Sequence, residues 1–154
     1  MSIKTKAMIF AMTMVGIVGA ASAAPATYQG TTVLTNPVTG SVTCLVTIAG
    51  DIDGSGNIQV QSVGAEPGDA NCDLIYNGQT PWTGNTSGST LTTGSASSII
   101  VVGTSVASSC GGTISQIVYN GLPGIPTSVD INPGGVVGNY GGSCTIEGNL
   151  VRIN

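Results

Sequence analysis

The chain contains no histidine, and its whole cationic inventory is Lys4, Lys6 and Arg152. Both lysines, all four methionines and the single phenylalanine fall within the first 23 residues. Beyond that point one cation, Arg152, faces all seven carboxylates: Asp51, Asp53, Glu66, Asp69, Asp73, Asp130 and Glu147. Each absence excludes a class of function. Without histidine or lysine in residues 24–154, neither a Ser-His-Asp nor a Ser-Lys nucleophile can be assembled. Without a basic surface, nucleic acid is a poor partner, because affinity there rests on cations that neutralise phosphates. Anionic lipid is disfavoured for the same reason. A carboxylate pair drawn from Asp51, Asp53 and Glu147 is formally available for glycoside hydrolysis. Acidic residues in turns are ordinarily solvated, so the sequence predicts no catalytic residue and a protein that is not an enzyme.

What is present divides the chain in two. Lys4 and Lys6 precede the apolar run Ala7–Ala20, and Ala21-Ser22-Ala23 has the small residues of a cleavage site. Residues 1–23 therefore read as a signal peptide, with the mature chain beginning at Ala24. The apolar run is shorter than the roughly 20 residues a spanning helix needs. No later segment is long and apolar enough to span, so the mature chain is expected to lack a membrane-spanning segment. Residues 24–154 suit a single secreted domain.

Cys44, Cys72, Cys110 and Cys144 all lie in the exported part, and an even count in an oxidising compartment implies disulfides. Cys44–Cys72 with Cys110–Cys144 is favoured over the other two connectivities, because each bridge closes a short loop within one half of the chain. No Cys-x-x-Cys spacing supports a metal site, and no cofactor is implied. The stretch Asp51-Ile52-Asp53-Gly54-Ser55-Gly56-Asn57 begins like a calcium loop. Its twelfth position is Ser62 where a bidentate Glu is needed, and a strand comes after it rather than a helix. A hairpin turn is the better reading.

The apolar residues come in short β-branched runs separated by turn signals, with no sustained helical period. Residues 24–30 read as a loose arm and Thr31–Leu34 as a possible first strand. Val42–Ile52 is the strongest strand, with Val42, Cys44, Val46 and Ile48 on one face. The turn 53–57 and Ile58–Val63 complete a hairpin. Leu74–Tyr76, Ile99–Val102 and Thr113–Tyr119 read as further strands. Residues 83–98 read as loop or edge strand, and Pro123, Pro126 and Pro133 break the stretch after Asn120-Gly121. Cys144–Ile153 closes the chain as one strand or a bent pair. The expected fold is all-β: a single disulfide-stapled antiparallel β-sandwich or small barrel. Trp82, the lone tryptophan, reads as a core anchor, with exposed surface contact as the alternative role.

Several short motifs together resemble the Pra family of secreted bacterial proteins, activators of alkane oxidation. They are the cysteine-bearing strand VTCLVTIAG (42–50), the strand NIQVQSV (57–63), Pro81-Trp82 after the second cysteine, a small-residue strand ending in Cys-Gly-Gly (110–112) and GGSCTIEGNL (141–150). The resemblance implies a protein secreted to the medium or the cell surface, with the periplasm as another possible end point. It implies assistance in contact with, or emulsification of, hydrophobic substrates such as alkanes, with adhesion and biofilm association as related roles. Hydrophobic surfaces or hydrocarbons are then the expected partners, and the family offers no catalytic residues to carry over. Weakly charged strands also lack the lysines that guard sheet edges. A self-assembling fibre or surface-layer subunit is therefore the alternative, with the run NLVRI (149–153) as the candidate donated strand, although an ordinary closing strand is the favoured reading of that run.

Overall fold

A computed structural model describes residues 22–66, 68–77, 79–132, 140 and 144–154. Most of the expected leader lies outside the described residues. Among the described residues the regular structure is antiparallel β, apart from one 3-10 turn at Cys72–Leu74. Among the described residues no helix is long and apolar enough to cross a membrane.

Among the described residues twelve strands form two sheets. They are β1 (Ala24–Asn36), β2 (Gly40–Ile52), β3 (Asn57–Glu66), β4 (Ile75–Asn77), β5 (Trp82–Asn85) and β6 (Leu91–Thr92), then β7 (Ser98–Val102), β8 (Ser105–Cys110), β9 (Thr113–Ile114), β10 (Ile117–Asn120), β11 (Ser128–Ile131) and β12 (Thr145–Arg152). Nine pair in the order β10-β11-β12-β1-β2-β3-β5-β6-β9, and β4-β7-β8 form a small second sheet. The two ends of the nine-stranded order, β9 and β10, are separated in sequence only by Ser115-Gln116. Gln116 takes a left-handed φ of 57°, which turns the chain sharply there. The Ile117 amide then donates to the Ser89 carbonyl at 2.9 Å, which brings β10 beside the segment leading into β6. The sheet nearly closes into a barrel, so the all-β expectation resolves toward a barrel rather than a sandwich.

The arm expected at 24–30 is instead the first half of β1. It pairs with β2 from Ala24↔Ile52 to Asn36↔Gly40 without a break. Its inward face runs Ala26, Tyr28, Thr32, Leu34, Asn36, all buried. Gly30 falls in the same alternation, and a Cβ there would collide with the Asn149 carbonyl of β12. Glycine is needed at that point because the neighbouring backbone occupies the side-chain space. β2 keeps the predicted face, with Val42 and Cys44 buried, and it meets β3 across the expected turn.

Two other expectations change, and the closing run settles as the single strand that was favoured. The run 113–119 is two short strands, split where Gln116 bends. β11 forms where no strand is expected, whereas β8 is the small-residue strand that the resemblance implies before Cys-Gly-Gly. The closing run is one strand, β12, and it is not an edge: it pairs with β1 on one side and β11 on the other. Past its end the Ile153 amide still donates to Thr27. NLVRI therefore has its backbone hydrogen bonds met inside its own sheet and is not free for donation. Arg152, on the same strand, donates from Nη1 to the Ile125 carbonyl at 3.1 Å.

The disulfides join Cys44 to Cys72 and Cys110 to Cys144, the pairing favoured by loop length. The first fixes the 3-10 turn against β2. The second links the end of β8, in the small sheet, to the residue before β12, in the large one.

Candidate functional site

The inward faces of the large sheet do not fill the space they enclose. An internal cavity of about 80 Å³ remains, and its wall is almost wholly apolar. Val46 and Ile48 of β2 line it, with Val60 of β3, Leu91 of β6, Ile131 of β11 and Leu150 of β12. The cause is geometric. A barrel of about eight strands has an interior just wide enough to be filled by side chains or to hold one small ligand. This barrel is built mainly from Val, Ile, Leu and Thr, with few aromatics to fill the centre.

Trp82 stands in this wall. It is 3% exposed, so the structure places it in the core and corrects the alternative of an exposed surface contact. Position 82 opens β5 opposite Val60, a buried inward residue of β3, and so points inward with it. Its ring meets Tyr140 edge-on, with centroids 6.5 Å apart and planes at 64°. Tyr140 is itself 1% exposed, and its hydroxyl bonds Ser97 Oγ at 2.6 Å and Ser98 Oγ at 2.8 Å. Ser97 also donates toward Thr93 Oγ1 and the Cys110 carbonyl. This buried network ties the cavity wall to the strand of the small sheet that begins at Ser98.

Two more tyrosines line the cavity. Tyr28 donates its hydroxyl to the Pro126 carbonyl at 2.8 Å. Tyr119, on β10, has its hydroxyl oxygen buried with no hydrogen-bond partner among the described residues, and the same holds for Trp82 Nε1. Burial pushes the Tyr119 phenol up to about 12, with Tyr28 nearby adding to the shift. Burial also raises Tyr140, and raises Tyr28 against the opposing pull of Arg152. A raised phenol keeps its proton in the fold while the unfolded chain releases it near pH 10. Stability is therefore expected to be flat below pH 10 and to fall as pH rises from about 10 to about 12. Urea unfolding across that range checks this, and Tyr119→Phe should make the decline shallower.

The calcium-like loop is a closed turn. The Asp53 carboxylate accepts from the Ser55 amide, the Asn57 amide and Asn57 Nδ2. Those bonds, the Asn57 side chain first, hold its pKa below the ordinary value. Asp51 and Asp53 flank the start of the β2–β3 turn, while Glu147 lies on β12 beyond β1 in the sheet order. Among the described residues no three acidic, cysteine or histidine side chains stand together as a metal-holding group.

The cavity, rather than any cluster of polar side chains, is what the sequence did not reveal. Its lining is drawn from strands spread along the whole chain, from Tyr28 of β1 to Leu150 of β12. An unfilled centre has no local signature, and the one hint was the scarcity of large aromatics.

Fold and interior together define a small, disulfide-stapled, nearly closed antiparallel β-barrel with an apolar cavity. The chain belongs to the family of PraA/PraB-like alkane oxidation protein activators, which it matches over residues 1–152. No curated protein and no solved structure matches it.

Proposed function

We propose that the mature chain, freed of a cleaved leader at residues 1–23, is exported to the cell surface or medium. There it assists contact with hydrophobic substrates such as alkanes, without itself catalysing their oxidation. The observation that carries this reading is the apolar cavity, in a family whose members activate alkane oxidation. An apolar cavity is a site for an apolar guest, since a polar one would lose its hydration there without compensation. The two disulfides suit an oxidising compartment. Exposed Val102, Val106, Val151 and Ile153 on a sparsely charged body add apolar surface for an oil–water boundary. Emulsification, adhesion and biofilm association would draw on that surface.

The test is growth on a liquid alkane. A strain lacking the protein should lag, and added mature protein should restore growth. Val60→Phe, which fills the cavity from β3, should restore it poorly although it is exported equally. Antibody on intact cells and on culture supernatant supplies the location. Equal rescue by both proteins would mean that the cavity has no part in the function.

A second reading keeps the self-assembling subunit but moves its edge. Among the described residues β8 (Ser105–Cys110) is the outer strand of the small sheet and pairs only with β7, and it carries no charge. Val106 on it is 66% exposed. Such an unguarded edge suits addition of a strand from another copy. Light scattering that shows only monomers at high concentration ends this reading.

A further inference from the structure

We infer that an uncharged, unbranched alkyl chain binds this barrel end-on, with its terminal carbons in the cavity and the rest in a groove over one mouth of the barrel. The inference rests on the reading above, that the cavity receives hydrophobic molecules, and adds a second part to that site. Size calls for it. At about 80 Å³ the cavity is roughly half the volume of one that takes benzene. It holds on the order of three or four carbons. That is too few for an alkane that is liquid at ordinary temperature, so the rest of such a chain needs another place.

A groove of about 310 Å³ lies where strands of the large sheet end. β1 begins there, β2 turns into β3 through residues 53–56, β5 leads to Thr86, and residues 122–125 belong to the loop that joins β10 to β11. Both disulfides lie toward the opposite end, where β2 and β12 begin. Ala24, Ile52, Leu122, Pro123 and Ile125 give the groove its apolar surface. Ile52, the last residue of β2, borders both the groove and the cavity. It is 6% exposed, so its side chain stands between the interior and the open groove. The loop is tied to the cavity wall as well. Tyr28, which lines the cavity, donates to the Pro126 carbonyl, and Ile125 packs against the core. A turn of the Ile52 side chain is therefore a small movement that would join the two spaces, whereas the flanks are hydrogen-bonded sheet. Grooves beside Ile58 and Ile131 run over outward residues such as Gln59 and Val33, on those flanks. Ser22 also borders the mouth groove, so removal of the proposed leader widens it. No lysine, arginine or histidine borders the groove, and Asp53 does, so a carboxylate head would meet a like charge and no counter-charge.

The test is an NMR titration of the oxidised mature chain with n-butane, n-hexane, cyclohexane and hexanoate. Each methylene taken from water is worth about fourfold in affinity. The two that n-hexane adds to n-butane, partly covered in an open groove, should tighten binding about tenfold. n-Hexane should shift both Leu91 in the cavity and Ile125 in the groove, and n-butane Leu91 alone. Cyclohexane, whose ring cannot be divided between the two spaces, should bind about tenfold more weakly than n-hexane, and hexanoate about fivefold more weakly. Leu122 is 45% exposed, so Leu122→Asp alters the groove without touching the interior. It should bring n-hexane down to the affinity of n-butane and leave n-butane within about twofold, which shows that the variant folds. Val60→Phe, which fills the cavity, should weaken both alkanes. The inference is overturned if n-hexane is no tighter than n-butane, if cyclohexane or hexanoate matches n-hexane, or if either variant leaves n-hexane unchanged. In each of those cases n-butane binding still supports the proposed function. If neither n-butane nor n-hexane binds the unmodified protein, both fail.

Discussion

Replacing Cys110 and Cys144 together by alanine is expected to lower the unfolding free energy by about 4 kcal/mol. The bridge spans 34 residues, and closing a loop of that length removes roughly that much chain entropy from the unfolded state. The native side adds to the effect. Cys110 ends β8 in the small sheet, and Cys144 stands at the entry to β12 in the large one. Besides this bond, the described side-chain ties between these regions centre on the Tyr140 hydroxyl and its serine partners. Domains of this size are stable by only about 5–15 kcal/mol, so the loss should be plain in urea unfolding, with partial opening of β7 and β8 at low denaturant. A loss under 1 kcal/mol would show that the small sheet is held by other means.

Trp82→Ala should cost about 3–5 kcal/mol, the range for a large aromatic removed from a packed interior. Three contributions combine. The side chain is 3% exposed and packs across the strand pair from Val60. It gives Tyr140 its edge-on neighbour. It also borders space that is already unfilled, so its removal enlarges a cavity that the rigid barrel cannot readily collapse. Trp82→Phe keeps most of the apolar volume and should cost much less. Thermal unfolding of the two variants beside the parent protein checks both values. Similar stability for Trp82→Ala and the parent would mean that the ring does not support the core.

Much of the strand framework is legible in the residues, and the exceptions have physical causes. β2 and β3 alternate apolar and polar side chains around an Asp-Gly-rich turn, so period and turn chemistry agree. The first half of β1 was hidden by Pro25 and Gly30. Pro25 sits near the strand's start, where a proline is tolerated, and Gly30 answers to the backbone of β12, a partner more than a hundred residues away. β8, Ser-Val-Ala-Ser-Ser-Cys, is nearly all small residues and lacks a periodic apolar face, so only the resemblance points to it; among the described residues it pairs with β7 alone. β11 lies between Pro126 and Pro133 and forms because β10 and β12 flank it. The cysteine pairing was legible from loop length. The cavity had no local pattern to announce it, because it is made by distant strands that leave their centre empty. Trp82 was legible as a core anchor, but not as a wall residue with an unmet donor.

The absence of histidine and lysine from residues 24–154 acquires a specific meaning beside the structure. It leaves an interior with almost no charge, in which apolar volume carries the chemistry. The central claim is that this interior receives an apolar guest. The most direct measurement is an NMR titration of the oxidised mature protein with n-butane. The account predicts saturable shifts at lining residues such as Ile48, Leu91 and Leu150, one ligand per chain, and binding at least tenfold weaker in Val60→Phe. Shifts that never saturate, that gather at exposed Val106 and Ile153, and that are unchanged by Val60→Phe would contradict it.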